Sequence, residues 1–249
     1  MSHFRSVVLL GAVLASLAGV PTPASAIPMQ AVYTGTVGSG SDLTGLFGLG
    51  ANSDLSGLGF TMSFIYDPAT VGAHRFTDAS EDSVLGGSLS GFTNPFLSAI
   101  IAINGQSQSV AGDYESSALN TNNADIGSPF SITQQHVIAE SDDGLTQVFR
   151  QLLGSVSLAS LAIPVDLETA FSLDLIGNAS GSFHLSSYDY VNGLTNYNTS
   201  GSLNATHLTV SRYGDVPEIP LPAALPLLLS AIAGLGILAR RRKRVNIAT

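Results

Sequence analysis

The chain has 249 residues, 45% of them hydrophobic, with no Cys and no Trp, and a formal net charge of −9. Without Cys there is no disulfide framework, no thiolate zinc site and no thiol catalysis. The charge is uneven: residues 27–215 hold 3 cations (Arg75, Arg150, Arg212) against 17 acids, a net −14, and a body so acidic argues against nucleic acid as a partner.

At the N-terminus, Met1-Ser2-His3-Phe4-Arg5 precedes an apolar stretch from Val7 to Val20 and then Ala24-Ser25-Ala26. A short cationic region, an apolar region and a small-residue cleavage site predict a secretory signal peptide over residues 1–26. Cleavage after Ala26, within the site set by Ala24 and Ala26, leaves Ile27 as the mature N-terminus. As a permanent membrane helix, the Val7–Val20 stretch would rise only about 21 Å, short of a hydrocarbon core of about 30 Å.

Residues 27–215 predict one all-β domain. They contain 22 Gly, only 5 Pro and much Ser, Thr and Asn, with short alternating runs bounded by turn residues. The expected strands are Gln30–Val37, Gly59–Tyr66, Ser83–Phe92, Ser98–Asn104, Gln106–Ala111, Ser131–Glu140, Leu145–Leu153, Glu168–Ile176, Gly181–Ser187 and Ser202–Arg212. In the second of these, Phe60, Met62, Phe64 and Tyr66 alternate with Thr61, Ser63 and Ile65, as on a half-buried strand. Asn104-Gly105 is a type I′ hairpin signal, and Asp142-Asp143-Gly144 is a second hairpin signal. Val148–Leu161 fits either a strand or a short helix. Many strands at regular spacing point to a single β-sandwich, jelly-roll-like, with a barrel as the alternative. Ser41-Asp42-Leu43-Thr44-Gly45 and Ser53-Asp54-Leu55-Ser56-Gly57 form an imperfect repeat, read as two similar turns in which Asp42 and Asp54 cap backbone amides.

Little in the body points to chemistry, and no catalytic residue is assigned. Gly87-Ser88-Leu89-Ser90-Gly91 has Leu where a nucleophile elbow needs Ser, so it reads as a Gly/Ser strand. His74, His136, His184 and His207 lie far apart. His136 and Glu140 have helical ligand spacing, but on a strand they sit about 13 Å apart. No metal site and no cofactor are therefore expected. The oxygen-rich loops Gly38–Asp42 and Asn120–Asp125 keep a structural calcium as an alternative, although neither repeats nor completes a known loop spacing. With no Trp and few Glu, a deep carbohydrate-cleaving cleft has little support. Asn178, Asn198 and Asn204 stand in N-x-S/T triplets, read here as a by-product of Asn/Ser/Thr-rich strands.

The C-terminal segment, residues 216–249, carries more information. Ile219–Ala239 is a 21-residue run without charge, and Arg240, Arg241, Arg242, Lys243 and Arg244 follow at once. As a helix the run would rise about 31 Å, enough to span a bilayer, with the basic cluster held on the cytoplasmic side. Pro220, Pro222 and Pro226 crowd its front and hinder helix there. The expected layout is an extended Pro-rich motif over 216–226, a transmembrane helix over about 223–239, and the Arg cluster over 240–244.

Val216-Pro217-Glu218-Ile219-Pro220-Leu221-Pro222-Ala223, the apolar run and the Arg cluster together resemble the PEP-CTERM class of protein-sorting tails, closest to its VPLPA variant. Ile219 stands where that variant has Val, and Glu218 is not followed by Pro. The resemblance implies a Gram-negative source, passage through the general secretory machinery and processing by an exosortase, a membrane protease or transpeptidase of the exopolysaccharide system. It implies a protein held transiently at the inner membrane, then delivered to the cell surface or a biofilm matrix. The expected function is thus a non-enzymatic exported surface or matrix protein, with exopolysaccharide as a candidate partner. Two alternatives stand beside it: a carbohydrate-binding module or polysaccharide-acting enzyme, and a permanently anchored protein facing the periplasm.

Overall fold

The computed structural model of the chain describes residues 27–214, apart from 111, 125–127, 176 and 178. The expected signal peptide with Ala24 and Ala26, and the whole expected sorting tail with Val216–Ala223 and Arg240–Arg244, lie outside the described residues, as does Asn178.

The described residues are all-β and contain no helix. Their strands are β1 (Met29–Asp42), β2 (Ser53–Asp54), β3 (Gly59–Tyr66), β4 (His74–Thr77), β5 (Glu81–Gly86), β6 (Phe96–Ile103), β7 (Gln106–Ser109), β8 (Glu115–Asn123), β9 (Phe130–Asp142), β10 (Thr146–Leu158), β11 (Phe171–Asp174), β12 (Ala179–Asp189) and β13 (Leu194–Arg212). β3 has the bounds its alternation predicts. The Val148–Leu161 ambiguity resolves as strand, because β10 runs through Leu158 between β9 and β12. At the β6–β7 turn, Asn104 (φ 51°) and Gly105 (φ 73°) are both left-handed, as a type I′ hairpin requires.

Where a two-sheet sandwich was expected, a single sheet forms. All thirteen strands join one sheet, ordered β4-β5-β8-β9-β10-β12-β13-β1-β3-β6-β7, with β2 beside β1 and β11 beside β13. Every pairing is antiparallel. The sheet curls into a half-barrel whose two halves face each other. Tyr33 on β1 donates its hydroxyl proton to Gln135 Oε1 on β9, although the two strands are four places apart in the order. Gly154 on β10 leaves the room this needs: a Cβ there would lie 2.7 Å from the Tyr33 ring and 3.1 Å from Met62 Cε. The sheet ends in the short strands β4 and β7, of four residues each, which limits the unpaired backbone it presents.

One half of the inner face is aromatic. Tyr33 and Phe64 meet edge to face at 6.1 Å, Phe64 meets Phe96 in the same way, and Phe47 meets Phe183 at 5.9 Å. The other half buries polar side chains among small apolar ones such as Val84, Ala118 and Val137. Asp82, Asn120 and Thr133 sit directly opposite one another on β5, β8 and β9, and each is at most 1% exposed. A segment without strands, residues 159–170, is fastened at this polar end. Ser131 Oγ donates to Ser160 O (2.7 Å), Asn122 Nδ2 donates to Ile163 O (2.9 Å), and Ile163 and Leu167 are buried.

Candidate functional site

Of the residues expected at the signal and sorting sites, the structure places only Ile27, which is about half exposed. Its surroundings are informative. Met29 pairs with Arg212, and Tyr213 N donates to Pro28 O at 2.6 Å, so the body begins and ends at one place on the β1–β13 edge of contact. From there β13 runs back 19 residues to Leu194, at the opposite end of the sheet.

The two repeat turns do what their Asp residues were expected to do. Asp42 accepts the Gly45 and Phe47 amides at 2.8 and 2.7 Å and the Thr44 amide at 3.3 Å, while Asp54 accepts the amide and hydroxyl of Ser56 at 2.9 and 2.6 Å. Gly87–Gly91 is a turn between a Gly87–Phe92 bridge, not the expected strand, and Ser90 Oγ donates to Gly87 O. Its left-handed Gly87 (φ 128°) and Gly91 (φ 75°) end β5 at Gly86. Among the described residues, no three His, Asp or Glu side chains converge as metal ligands. His136 and Glu140 lie on the outer face of β9, and His136 Nε2 contacts Gln151 Nε2 at 2.8 Å.

Three polar arrangements had no counterpart in the sequence reading. The first surrounds Asp82. Its Oδ1 accepts from Arg75 Nε (3.0 Å) and Thr77 Oγ1 (2.9 Å), and its Oδ2 accepts from Arg75 Nη2 (2.8 Å) and the Leu167 amide (3.0 Å). Arg75 Nη1 reaches Glu168 at 2.8 Å. Burial works against the Asp82 charge, but these hydrogen bonds outweigh it and hold the carboxyl below its ordinary range. A cleft of about 460 Å³ opens beside the cluster. With all three guanidinium nitrogens and both Asp82 oxygens engaged, the cluster is a clamp on segment 159–170 with little left to offer a substrate.

The second is a Ser–His–Asp set across β11 and β13. His207 Nδ1 lies 2.9 Å from Asp174 Oδ1, and Nε2 lies 3.2 Å from Ser172 Oγ and 3.0 Å from Thr209 Oγ1. The order is that of a hydrolytic triad, yet the Asp174 side chain is 92% exposed and that of His207 41%. A charge so open to water orients a base weakly, and the set reads as two cross-strand polar pairs on a wet face.

The third is an aromatic face at the end of the sheet remote from Pro28 and Tyr213. On the outer face of β10 and β12, Phe149 and His184 meet at 5.4 Å, and Tyr188 meets Tyr190, in the turn just after β12, at 5.4 Å with ring planes 76° apart. Phe149 lies opposite Ser186, and Gln147 lies opposite Tyr188, so the four rings follow one another along the sheet. Tyr190 ties the two neighbouring hairpin turns together: its amide donates to Leu145 O (2.8 Å) and its hydroxyl to Asp142 Oδ2 (3.3 Å). The signal was present in the sequence, since His184, Ser186 and Tyr188 recur every second residue on one strand and Tyr190 continues the spacing into the turn that follows. Only a search for aromatics on the polar face would have found it.

Comparison of the chain with protein-family models, curated proteins and solved structures finds no match.

Proposed function

We propose that the chain is an exported surface or extracellular-matrix protein, without enzymatic activity, whose C-terminal tail is cut by an exosortase. The observation that carries this reading is the order of parts in residues 216–249: the motif Val216–Ala223, the apolar run to Ala239, and the cluster Arg240–Arg244. Each has a separate physical task. The prolines keep the motif extended and open to a protease, the apolar run enters the bilayer, and the cations stop translocation. In this reading a signal peptide is removed before Ile27, general secretion carries the body across the inner membrane, and exopolysaccharide is its destination.

The body's chemistry agrees. A strongly acidic surface suits a solvated exported domain, and the clamp and the wet Ser–His–Asp set supply no enclosed place for a reaction. The adjacency of Pro28 and Tyr213 lets one tether hold the whole domain by one end.

Intact-mass measurement of the protein from cells with and without the exosortase tests the proposal. The expected result is a C-terminus within or just before Val216–Ala223 in the first and an intact Arg240–Arg244 tail in the second. An intact tail in both would leave the permanently anchored alternative. A carbohydrate-binding role, the other alternative, is favoured by the aromatic face and is compatible with the same sorting.

A further inference from the structure

We infer that the outer face of β10 and β12 is a binding platform for a neutral, linear polysaccharide. The inference deepens the matrix reading above and rests on it for where the polymer is met. Sugar rings bind through their C–H faces to aromatic rings and through their hydroxyls to carboxylates and amides. Both kinds of group are present together here. Phe149, His184, Tyr188 and Tyr190 supply the rings, and Gln147 and Asp142 stand beside them. From His184 to Tyr188 the row covers about 13 Å of strand, and Tyr190 extends it into the turn beyond, a length suited to several units of a chain and not to one small molecule.

Three observations narrow the occupant. Tyr188 and Tyr190 remain 39% and 46% exposed, so the rings are not spent on the core, and Leu145, Val191 and Leu194 around them are more exposed still. The rim is anionic: backbone and side-chain hydrogen bonds keep Asp143 and Asp189 charged well into acid, which repels anionic polymers, anionic lipids and a second copy of the same face. Position is the third. The face lies at the Leu194 end of β13, whereas the chain leaves the body at Arg212, so a domain tethered by its C-terminus presents the rings outward.

The test is affinity electrophoresis of the full-length protein in mild detergent, in gels cast with a neutral β-glucan, a neutral galactomannan or anionic alginate. Wild type should be retarded by at least one neutral polymer and not by alginate. Tyr188→Ala with Tyr190→Ala should weaken that retardation by about tenfold or more, the loss expected for stacked rings. Tyr188→Phe should retain it, because the ring and not the hydroxyl makes the stack. Both residues are exposed, and an unchanged melting temperature of the Ala variant confirms an intact fold. Equal retardation of wild type and the Ala variant overturns the inference. So does retardation by alginate alone, or no retardation in any gel with self-association or vesicle binding in its place. Mass analysis of the tail from the same cells separates the two readings: a cut tail with no sugar binding defeats the platform alone, and sugar binding with an uncut tail defeats the sorting alone.

Discussion

Asp82 is 1% exposed and takes four hydrogen bonds, two from Arg75, one from Thr77 and one from the Leu167 amide. Replacing it by Asn removes the charge and one of the two acceptor oxygens while Arg75, about a third exposed, keeps water and Glu168 as partners, so the loss should be about 1–3 kcal/mol. Urea unfolding at pH 7 should register that loss for Asp82→Asn. Its acid dependence follows from the same bonds. The folded carboxyl titrates below 3.8, its unfolded value, so its contribution is full above that pH and fades as pH falls through the folded value. The difference between wild type and Asp82→Asn should therefore shrink on going from pH 5 to pH 2.5. His136 gives the second test at this scale. Desolvation lowers its pKa below 6.5, with Glu115 opposing, so the unfolded chain binds the proton first and stability declines as pH drops below 6.5. His136→Gln should flatten the stability profile between pH 7 and pH 5, and an unchanged slope would assign that decline to other groups.

At the scale of elements, the repeated turns separate sequence from context. Asp42 and Asp54 both accept the amide two residues on, yet Asp42, fully buried beside Phe47, also accepts the Gly45 and Phe47 amides, whereas exposed Asp54 adds only the Ser56 hydroxyl. Asp42→Ala strands three amides, that of buried Phe47 among them, and should cost about 3 kcal/mol, whereas Asp54→Ala should leave the thermal midpoint near wild type. The sequence announces the shared turn and not the difference in burial, because burial is decided by which strands fold over it. The strands were legible under the same limit. β3 was recognisable from its aromatic alternation, and β9 from the β-branched residues Ile132, Thr133, Val137 and Ile138 along it. β8 was missed because its buried side is Ser116, Ala118 and Asn120, and the strand has a single β-branched residue, Thr121. The expected pair of sheets became one because sheet order is a long-range property: β8 pairs β9 locally, but β1 pairs β13 across nearly the whole domain. The aromatic face depends on that order as well, since Phe149 and His184 meet only because β10 and β12 are neighbours.

For the molecule as a whole, the proposed sorting role raises a physical question: how one tail would serve both as a membrane anchor and as a protease substrate. Leu227–Ala239, free of the prolines, would rise only about 20 Å as a helix, less than the hydrocarbon thickness of about 30 Å. The missing length lies in Ile219–Pro226, where Pro220, Pro222 and Pro226 oppose helix formation. On the sorting reading proposed above, an anchor this marginal would keep its Pro-rich strip near the outer boundary, extended and accessible. Substituting Ala at all three prolines should let the helix begin near Ile219, draw the strip into the bilayer and protect it. In an exosortase-positive host, the triple variant should accumulate uncut and resist carbonate extraction, while wild type loses the residues beyond its motif. Anchor length alone is checked separately: with the three prolines intact, inserting four Leu after Ala233 lengthens the apolar run and should leave cutting unchanged. If the triple variant were trimmed as wild type is, an extended strip would not be what the protease reads, and the division of labour among motif, anchor and cations would fail at its first member.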